Sequence, residues 1–287
     1  SSLHPVLLQS ARLGGFAGHC HRMAWRPQVG RTFSIANQKG GVGKTTTVVN
    51  VAAAMADWGH RVLLVDIDPQ SNATTCLGID SRTLSSSIYD VLVDEQSVAE
   101  VIRGTRWPGL DILPSAPALA GATVELNRAA DPRERVEHLK HTLTPIEGYD
   151  YILIDSPPSL GVLTVNALSA AHAVIVPVQC EYLALEGLAQ LMRTITLVQR
   201  GLNPTLTLRG VVMTMYDSRT TLSRQVAEEI RKHFPGQVFN VIIPRSVRLS
   251  EAPSFGEPGV FYAPRSTGAL AYRILTWELL RGDGYEL

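Results

Sequence analysis

One run, Gln38-Lys39-Gly40-Gly41-Val42-Gly43-Lys44-Thr45-Thr46, limits what this chain can fold into more than any other stretch. It follows a short apolar segment, Phe33–Ala36, and opens a helical pattern from about Lys44 to Trp58 that Gly59 can terminate. A strand running through a glycine-rich loop into a helix gathers unpaired backbone N–H groups and the positive end of the helix dipole at one point. That arrangement favours a phosphate. The glycines let the backbone curl around the anion, Lys44 offers a charge to the β- and γ-phosphate oxygens, and the Thr45 hydroxyl can ligate Mg²⁺. The usual phosphate-loop pattern has glycine five positions before Gly43. Here Gln38 stands there, and a second cation, Lys39, precedes Gly40 and Gly41. Lys44 already serves the nucleotide of its own loop, so Lys39 needs a different task or a different phosphate.

Downstream, short apolar runs alternate with helical stretches. Strands are expected at Arg61–Asp68, Leu110–Leu113, Tyr151–Asp155, Val174–Val178, Leu208–Thr214 and Val238–Ile243. Helices are expected at about Val124–Thr142, Leu160–Ala171, Leu185–Arg200 and Leu222–Phe234, and short helices and loops at an edge over Asp80–Trp107. Runs such as Val62-Leu63-Leu64-Val65 are continuously apolar, as strands buried on both faces require. The alternation predicts an α/β fold: a doubly wound, mostly parallel sheet with helices on both faces. Residues 31–287 read as a single domain of this kind. Residues 1–30 read as a disordered extension, with Arg12, Arg22 and Arg26, no acid before Asp57, and glycines that break any periodicity. An organellar transit peptide has the same composition.

Composition excludes several classes. The chain has 287 residues with 26 Lys+Arg against 26 Asp+Glu, so it is no uniformly basic nucleic-acid binder, although a local basic face remains open. Cys20, Cys76 and Cys180 are widely spaced and odd in number, which suggests reduced thiols in a cytoplasmic protein rather than a disulfide scaffold or a metal cluster. No apolar run approaches the ~18 residues of a membrane helix.

Two acidic segments complete the chemistry. Leu63-Leu64-Val65-Asp66-Ile67-Asp68-Pro69-Gln70 ends a strand in two aspartates, of which Asp68 is placed to orient an attacking water. Tyr151-Ile152-Leu153-Ile154-Asp155 is a hydrophobic strand ending in an aspartate that can hold Mg²⁺, often through water. Phosphoryl transfer needs mainly positioning and charge neutralisation, which these groups could supply. Each aspartate alone could equally cap a helix that follows its strand.

The loop resembles the deviant Walker A family, whose motif is KGGxGK[ST] and whose members include ParA/Soj partition ATPases, MinD, nitrogenase iron protein and arsenite-pump ATPases. The resemblance to the ParA/Soj branch runs over most of Thr32–Tyr272. Asp68-Pro69-Gln70-Ser71-Asn72-Ala73-Thr74 looks like its DPQGNAT segment, with Ser71 in place of the usual Gly, and Asp155-Ser156-Pro157-Pro158-Ser159 matches its second acidic motif. Thr214–Thr220 and Ile243–Ser254 are similar to Soj signatures. The resemblance implies ATP and Mg²⁺ as ligands, Lys39, Lys44 and Asp68 as catalytic residues, and Thr45 and Asp155 at the metal. It implies that residues 39–46 hold phosphate and that Pro244, Arg245 and Ser246 hold adenine, although Ser246 stands where Asn is usual. It implies that Lys39 reaches the nucleotide of a second copy in an ATP-dependent homodimer.

The same resemblance implies a nucleoid-associated cytoplasmic protein that binds double-stranded DNA nonspecifically and works with a ParB-like partner in chromosome or plasmid segregation. From Arg200 onward, eleven basic residues face eight acidic ones. Arg219, Arg224, Arg245 and Arg248 are the candidate DNA contacts, of which Arg219 and Arg248 fall at family motif positions. Glu257 departs from the family, where Lys is usual. Two alternatives stay open: a MinD-like membrane-positioning ATPase, which the acidic C-terminal residues fit poorly, and an adaptor that binds nucleotide without turnover.

Overall fold

The computed structural model describes residues 30–126, 131 and 133–285. The extension expected over residues 1–30 therefore lies outside the described residues, apart from Gly30. Eight strands form one sheet in the order β3-β4-β2-β5-β1-β6-β7-β8. They are β1 Arg31–Ile35, β2 Val62–Asp66, β3 Arg103–Gly104, β4 Leu110–Leu113, β5 Tyr151–Asp155, β6 Ala173–Gln179, β7 Thr207–Tyr216 and β8 Val238–Pro244. All pairings are parallel except β3 with β4, at the edge.

The period-two alternation of each strand divides the core between two faces. Phe33, Ile35, Val62, Leu64, Tyr151, Leu153 and Ile175 join one buried cluster. Their neighbours Leu63, Val65, Ile152 and Ile154, and Val174 and Val176, join two clusters on the opposite face. Because β2 and β5 are buried on both faces, neither could alternate with polar residues, which explains their continuous apolar runs.

The first face is covered by α1 (Lys44–Asp57), which follows the glycine-rich loop. Ala52, Ala53 and Ala54 are fully buried there, small enough to let the helix lie close between the sheet and a second helical layer. The opposite face carries α7 (Val162–Ala170), α8 (Ala184–Gly201) and α9 (Thr221–His233), together with α5 (Leu119–Leu126) and α6 (Glu134–Leu143). Short helices α2 (Asn72–Cys76), α3 (Ile88–Val93) and α4 (Val98–Val101) follow β2. The single helix expected over 124–142 is thus two helices. Pro132 lies between them, and proline has no N–H to continue a helix. Part of that connection lies outside the described residues.

The second layer over α1 is α12, Thr267–Gly282, which follows the short helices α10 (Val247–Glu251) and α11 (Gly259–Tyr262). Sequence reading missed α12, although its signals were present. Ser266 caps it by accepting the Ala269 N–H at 3.2 Å, and Ala269, Tyr272, Leu275, Leu279 and Leu280 recur at helical spacing. All five are buried in the same cluster as α1, and Thr47 and Tyr272 share a hydrogen bond of 3.1 Å. Among the described residues no helix is long and apolar enough to cross a membrane.

Asp283, just past α12, bolts the chain's end to the start of the sheet. Its fully buried carboxylate takes Arg31 at 2.7 Å from β1 and Arg209 at 3.3 Å from β7, and Tyr151 donates its hydroxyl to it at 3.3 Å. Asp283→Ala should leave the Arg209 guanidinium under-compensated and cost about 3 kcal/mol. Urea unfolding measures this; a midpoint unchanged from the parent chain would show that the cluster carries no stability.

Candidate functional site

The ends of β1, β5 and β2 are level. Asp155 pairs in register with Ile35 on one side and with Asp66 on the other. The loop that leaves β1 therefore curls over two strand-end aspartates. Gly41 and Gly43 take φ of 73° and 87°, left-handed values that strain a residue with a side chain. Gly43 is the N-cap of α1 and contributes no side-chain cap, and the helix has no acidic residue in its first turn. Its positive end is left for an outside anion.

The loop is braced from neighbouring strands. Thr214 of β7 donates its hydroxyl to the Val42 carbonyl at 2.8 Å. Asn37 donates to the Pro177 carbonyl in β6 at 2.7 Å and accepts the Lys39 N–H at 3.0 Å. Lys44 is buried, its Nζ donating to the Lys39 carbonyl at 3.2 Å. Burial lowers its pKa, against the opposite pull of Asp155 and Asp68. Lys39 is half-exposed, with Nζ 2.7 Å from Glu181 Oε2 just beyond β6.

The three aspartates have separate surroundings. Asp66 accepts the Thr74 N–H at 2.8 Å and the Thr74 hydroxyl at 2.7 Å, so it anchors α2, the capping alternative. Burial pushes its carboxyl up to about 6. Asp68 accepts the Gln70 N–H at 3.0 Å, and its own carbonyl takes the Ser115 hydroxyl at 2.7 Å. Asp155 accepts from Thr45 Oγ1 at 2.7 Å, while its Oδ1 is buried with no hydrogen-bond partner among the described residues. Burial first, and the nearby Asp66 second, hold its carboxyl well above the usual range. An orphaned carboxylate oxygen beside a threonine hydroxyl in a locally negative pocket suits a divalent cation. Among the described residues no three His, Cys, Asp or Glu side chains form a metal set, so the remaining ligands would be phosphate oxygens and water.

Ser71 explains why glycine is usual at its position in the family. It is the N-cap of α2 with φ 53° and ψ 33°, fully buried, and its hydroxyl has no hydrogen-bond partner among the described residues.

The candidate adenine and DNA residues lie at the same edge of the sheet. Pro244 ends β8 beside Tyr216, whose carbonyl takes the Arg245 N–H at 3.1 Å, and Ser246 starts α10. Arg219 closes a two-bond fork on Asp217, at 2.9 and 2.7 Å, and these bonds pull the Asp217 carboxyl down to about 2. Arg245 also lies within the field of Asp217. Arg248 pairs with Glu251 at 2.9 Å, and Arg224 donates to Thr221 at 3.4 Å in the first turn of α9. Two of the four arginines thus already have carboxylates. Glu257 is paired with Arg106 at 2.7 Å, and Arg106 lies 4.5 Å over the Trp107 ring. The unusual acid therefore has a partner on another segment.

A family model described as an AAA domain matches residues 30–208. The sporulation initiation inhibitor protein Soj of Bacillus subtilis is 52% identical over 252 residues, 88% of this chain and 98% of the relative. The chain belongs to the ParA/Soj family of P-loop ATPases. The chromosome partitioning protein ParA of Myxococcus xanthus is 50% identical over 256 residues, 89% of each chain. A solved structure from Mycobacterium smegmatis, described as cobyrinic acid a,c-diamide synthase with bound ADP and magnesium, superimposes with a TM-score of 0.78 at 41% identity. That match covers 90% of this ParA/Soj-family chain and 98% of the solved one.

Sequence reading of this family member missed the bracing residues. Thr214 lay in a recognised segment but carried no assigned role, and Glu181 had only its position after a strand to mark it. Two predictions follow from the strained and buried groups. Ser71→Gly relieves the left-handed backbone and removes the orphaned hydroxyl, so it should stabilise by about 1 kcal/mol, seen as a raised denaturant midpoint; a lowered midpoint contradicts it. Asp66 binds a proton more tightly folded than unfolded between about pH 4 and 6. Its contribution to stability is greatest below that window and is lost as pH rises through it. The stability gap between the parent chain and Asp66→Asn should shrink as pH rises from 4 to 6; a gap constant with pH would contradict the raised value.

Proposed function

We propose that the chain is a Mg²⁺-dependent ATP hydrolase, with residues 31–287 as one ATPase domain, that pairs with a second copy when ATP is bound. The paired form binds DNA nonspecifically and serves chromosome or plasmid segregation with a ParB-like partner, as a nucleoid-associated cytoplasmic protein. One observation carries the reading. The loop bears two lysines with different surroundings, Lys44 buried against its own loop and Lys39 on the surface beside Glu181.

In this reading the N–H groups of residues 40–46 and Lys44 bind the phosphates of their own protomer. Thr45 and Asp155 hold Mg²⁺, which, when bound, neutralises charge on the β- and γ-phosphate oxygens. Asp68 orients the attacking water. Lys39 serves the second copy's nucleotide, and Pro244, Arg245 and Ser246 hold adenine. Curated relatives named for chromosome partitioning match at 50% identity against 41% for the solved diamide synthase, which favours segregation over amide formation.

Asp68→Ala should retain ATP and lose roughly 10²–10³ in hydrolysis rate, holding the paired form. In that variant, DNA affinity measured across a salt series should be strong with ATP and negligible with ADP. The slope of log affinity against log salt should be about −0.9 per phosphate neutralised, and pairing should roughly double it. Arg219→Glu or Arg248→Glu should flatten the slope. Equal binding with both nucleotides would remove the switch, and marked preference for one sequence would remove nonspecific binding. Unchanged hydrolysis in Asp68→Ala would remove that residue's role.

A further inference from the structure

Both loop lysines are engaged within their own chain, and in series. Lys44 Nζ donates to the carbonyl of Lys39, and Lys39 Nζ donates to Glu181. Glu181 is held from its other side as well, since Gln179 donates its side-chain amide to Oε1. Its backbone is fixed against the loop's own brace: the neighbouring Cys180 N–H donates to the Thr214 carbonyl at 3.4 Å, and the Thr214 hydroxyl holds Val42. This carboxylate is therefore an aimed group at the carboxyl end of β6. Its partner Lys39 lines an open groove together with Gln38, Leu160, Leu183, Glu186 and Gln190. Tyr182 and Leu183, which follow Glu181, are 83% and 55% exposed, an apolar surface at the place where Lys39 would leave its own protomer.

We infer that Glu181 is a positioning residue that holds Lys39 on its own protomer, that bound phosphate loosens this hold by drawing Lys44 off the Lys39 carbonyl, and that the remaining Lys39–Glu181 pair, broken only when a second copy's phosphate takes Lys39, sets the threshold for pairing. The inference rests on the reading of Lys39 as the crossing lysine. Its logic is an exchange of partners. Lys44 has one ammonium group, and the more of it the phosphates take, the less it restrains the Lys39 peptide. Lys39 has one ammonium group too, and it cannot serve Glu181 and a second copy's phosphate equally well. Phosphate capture in the loop therefore precedes release of Lys39.

The strength of the latch suits a threshold. With both side chains about 40% exposed, the pair is worth a factor of about two to five in an equilibrium constant. A multiply charged phosphate can displace so weak a partner. Two latches open for each pair of protomers, so removing them should tighten association about four- to twenty-five-fold. Glu181→Gln is close to isosteric and keeps an oxygen that can accept from Gln179, so it removes the charge and little else.

The test is sedimentation equilibrium of the full chain with Mg²⁺ and a non-hydrolysable ATP analogue. Glu181→Gln should lower the Kd for pairing about four- to twenty-five-fold, and the double variant Lys39→Ala, Glu181→Gln should show no gain over Lys39→Ala alone, because the latch acts only through Lys39. If Glu181→Gln leaves the Kd unchanged or raises it while Lys39→Ala abolishes pairing, the latch is overturned and the crossing lysine stands. If Lys39→Ala pairs as the parent chain does, the crossing reading fails and the latch with it. A gain from Glu181→Gln that persists without Lys39 also overturns the latch.

Discussion

The positive end of α1 emerges at the middle of the sheet's carboxyl edge, beside the Asp155 carboxylate that accepts from Thr45. No side chain caps the helix and no acid stands in its first turn, while the glycines that precede it give up conformational stability in order to curl tightly over its N-terminus. Burial of α1 between the sheet and α12 fixes the direction of that dipole, which is why the C-terminal helix matters to a site it does not touch. Thr214 and Asn37 then tie the loop to β7 and β6, so the glycine-rich loop is anchored to the sheet beneath it.

The opposite imbalance lies beside it, at the ends of β2 and β5. Asp66, Asp68 and Asp155 are all buried, and the fields of Asp66 and Asp68 raise Asp155 further after burial has done most of the work. Lys44 lowers it only in part. A site with an uncapped helix end on one side and under-neutralised carboxylates on the other fits a bound phosphate and a bound divalent cation together better than either one. The same edge continues outward through β7. Thr214 holds the loop, Tyr216 holds the Arg245 peptide, and Asp217 holds Arg219. A short run of chain thus connects the phosphate loop to the arginines that the proposed reading assigns to DNA.

The sheet was legible in the sequence because parallel strands buried on both faces must be continuously apolar, and the seven expected strands all form. The phosphate loop was legible because its glycines, lysines and threonine are spaced for one purpose. The helix α12 lies outside the sequence-based expectations although its capping serine and apolar spacing are readable in the chain, because only the fold shows the layer with α1 that its apolar face completes. The single helix expected over 124–142 forms as two, with Pro132 in the sequence between them. Sequence reading singles out Asp68 but leaves Asp66 without a task of its own, because that task depends on Thr74, which only the fold turns back onto the strand end. Glu181 and the Arg106–Glu257 pair join segments more than a hundred residues apart, and nothing local encodes such contacts.

In the proposed reading, the γ-phosphate decides whether two copies associate. The direct measurement is the solution mass of the unaltered chain at one fixed concentration, with Mg²⁺ and either a non-hydrolysable ATP analogue or ADP, by light scattering behind a sizing column. The account predicts the mass of two chains with the ATP analogue and of one chain with ADP. A single mass in both nucleotides, whether of one chain or of two, would contradict it.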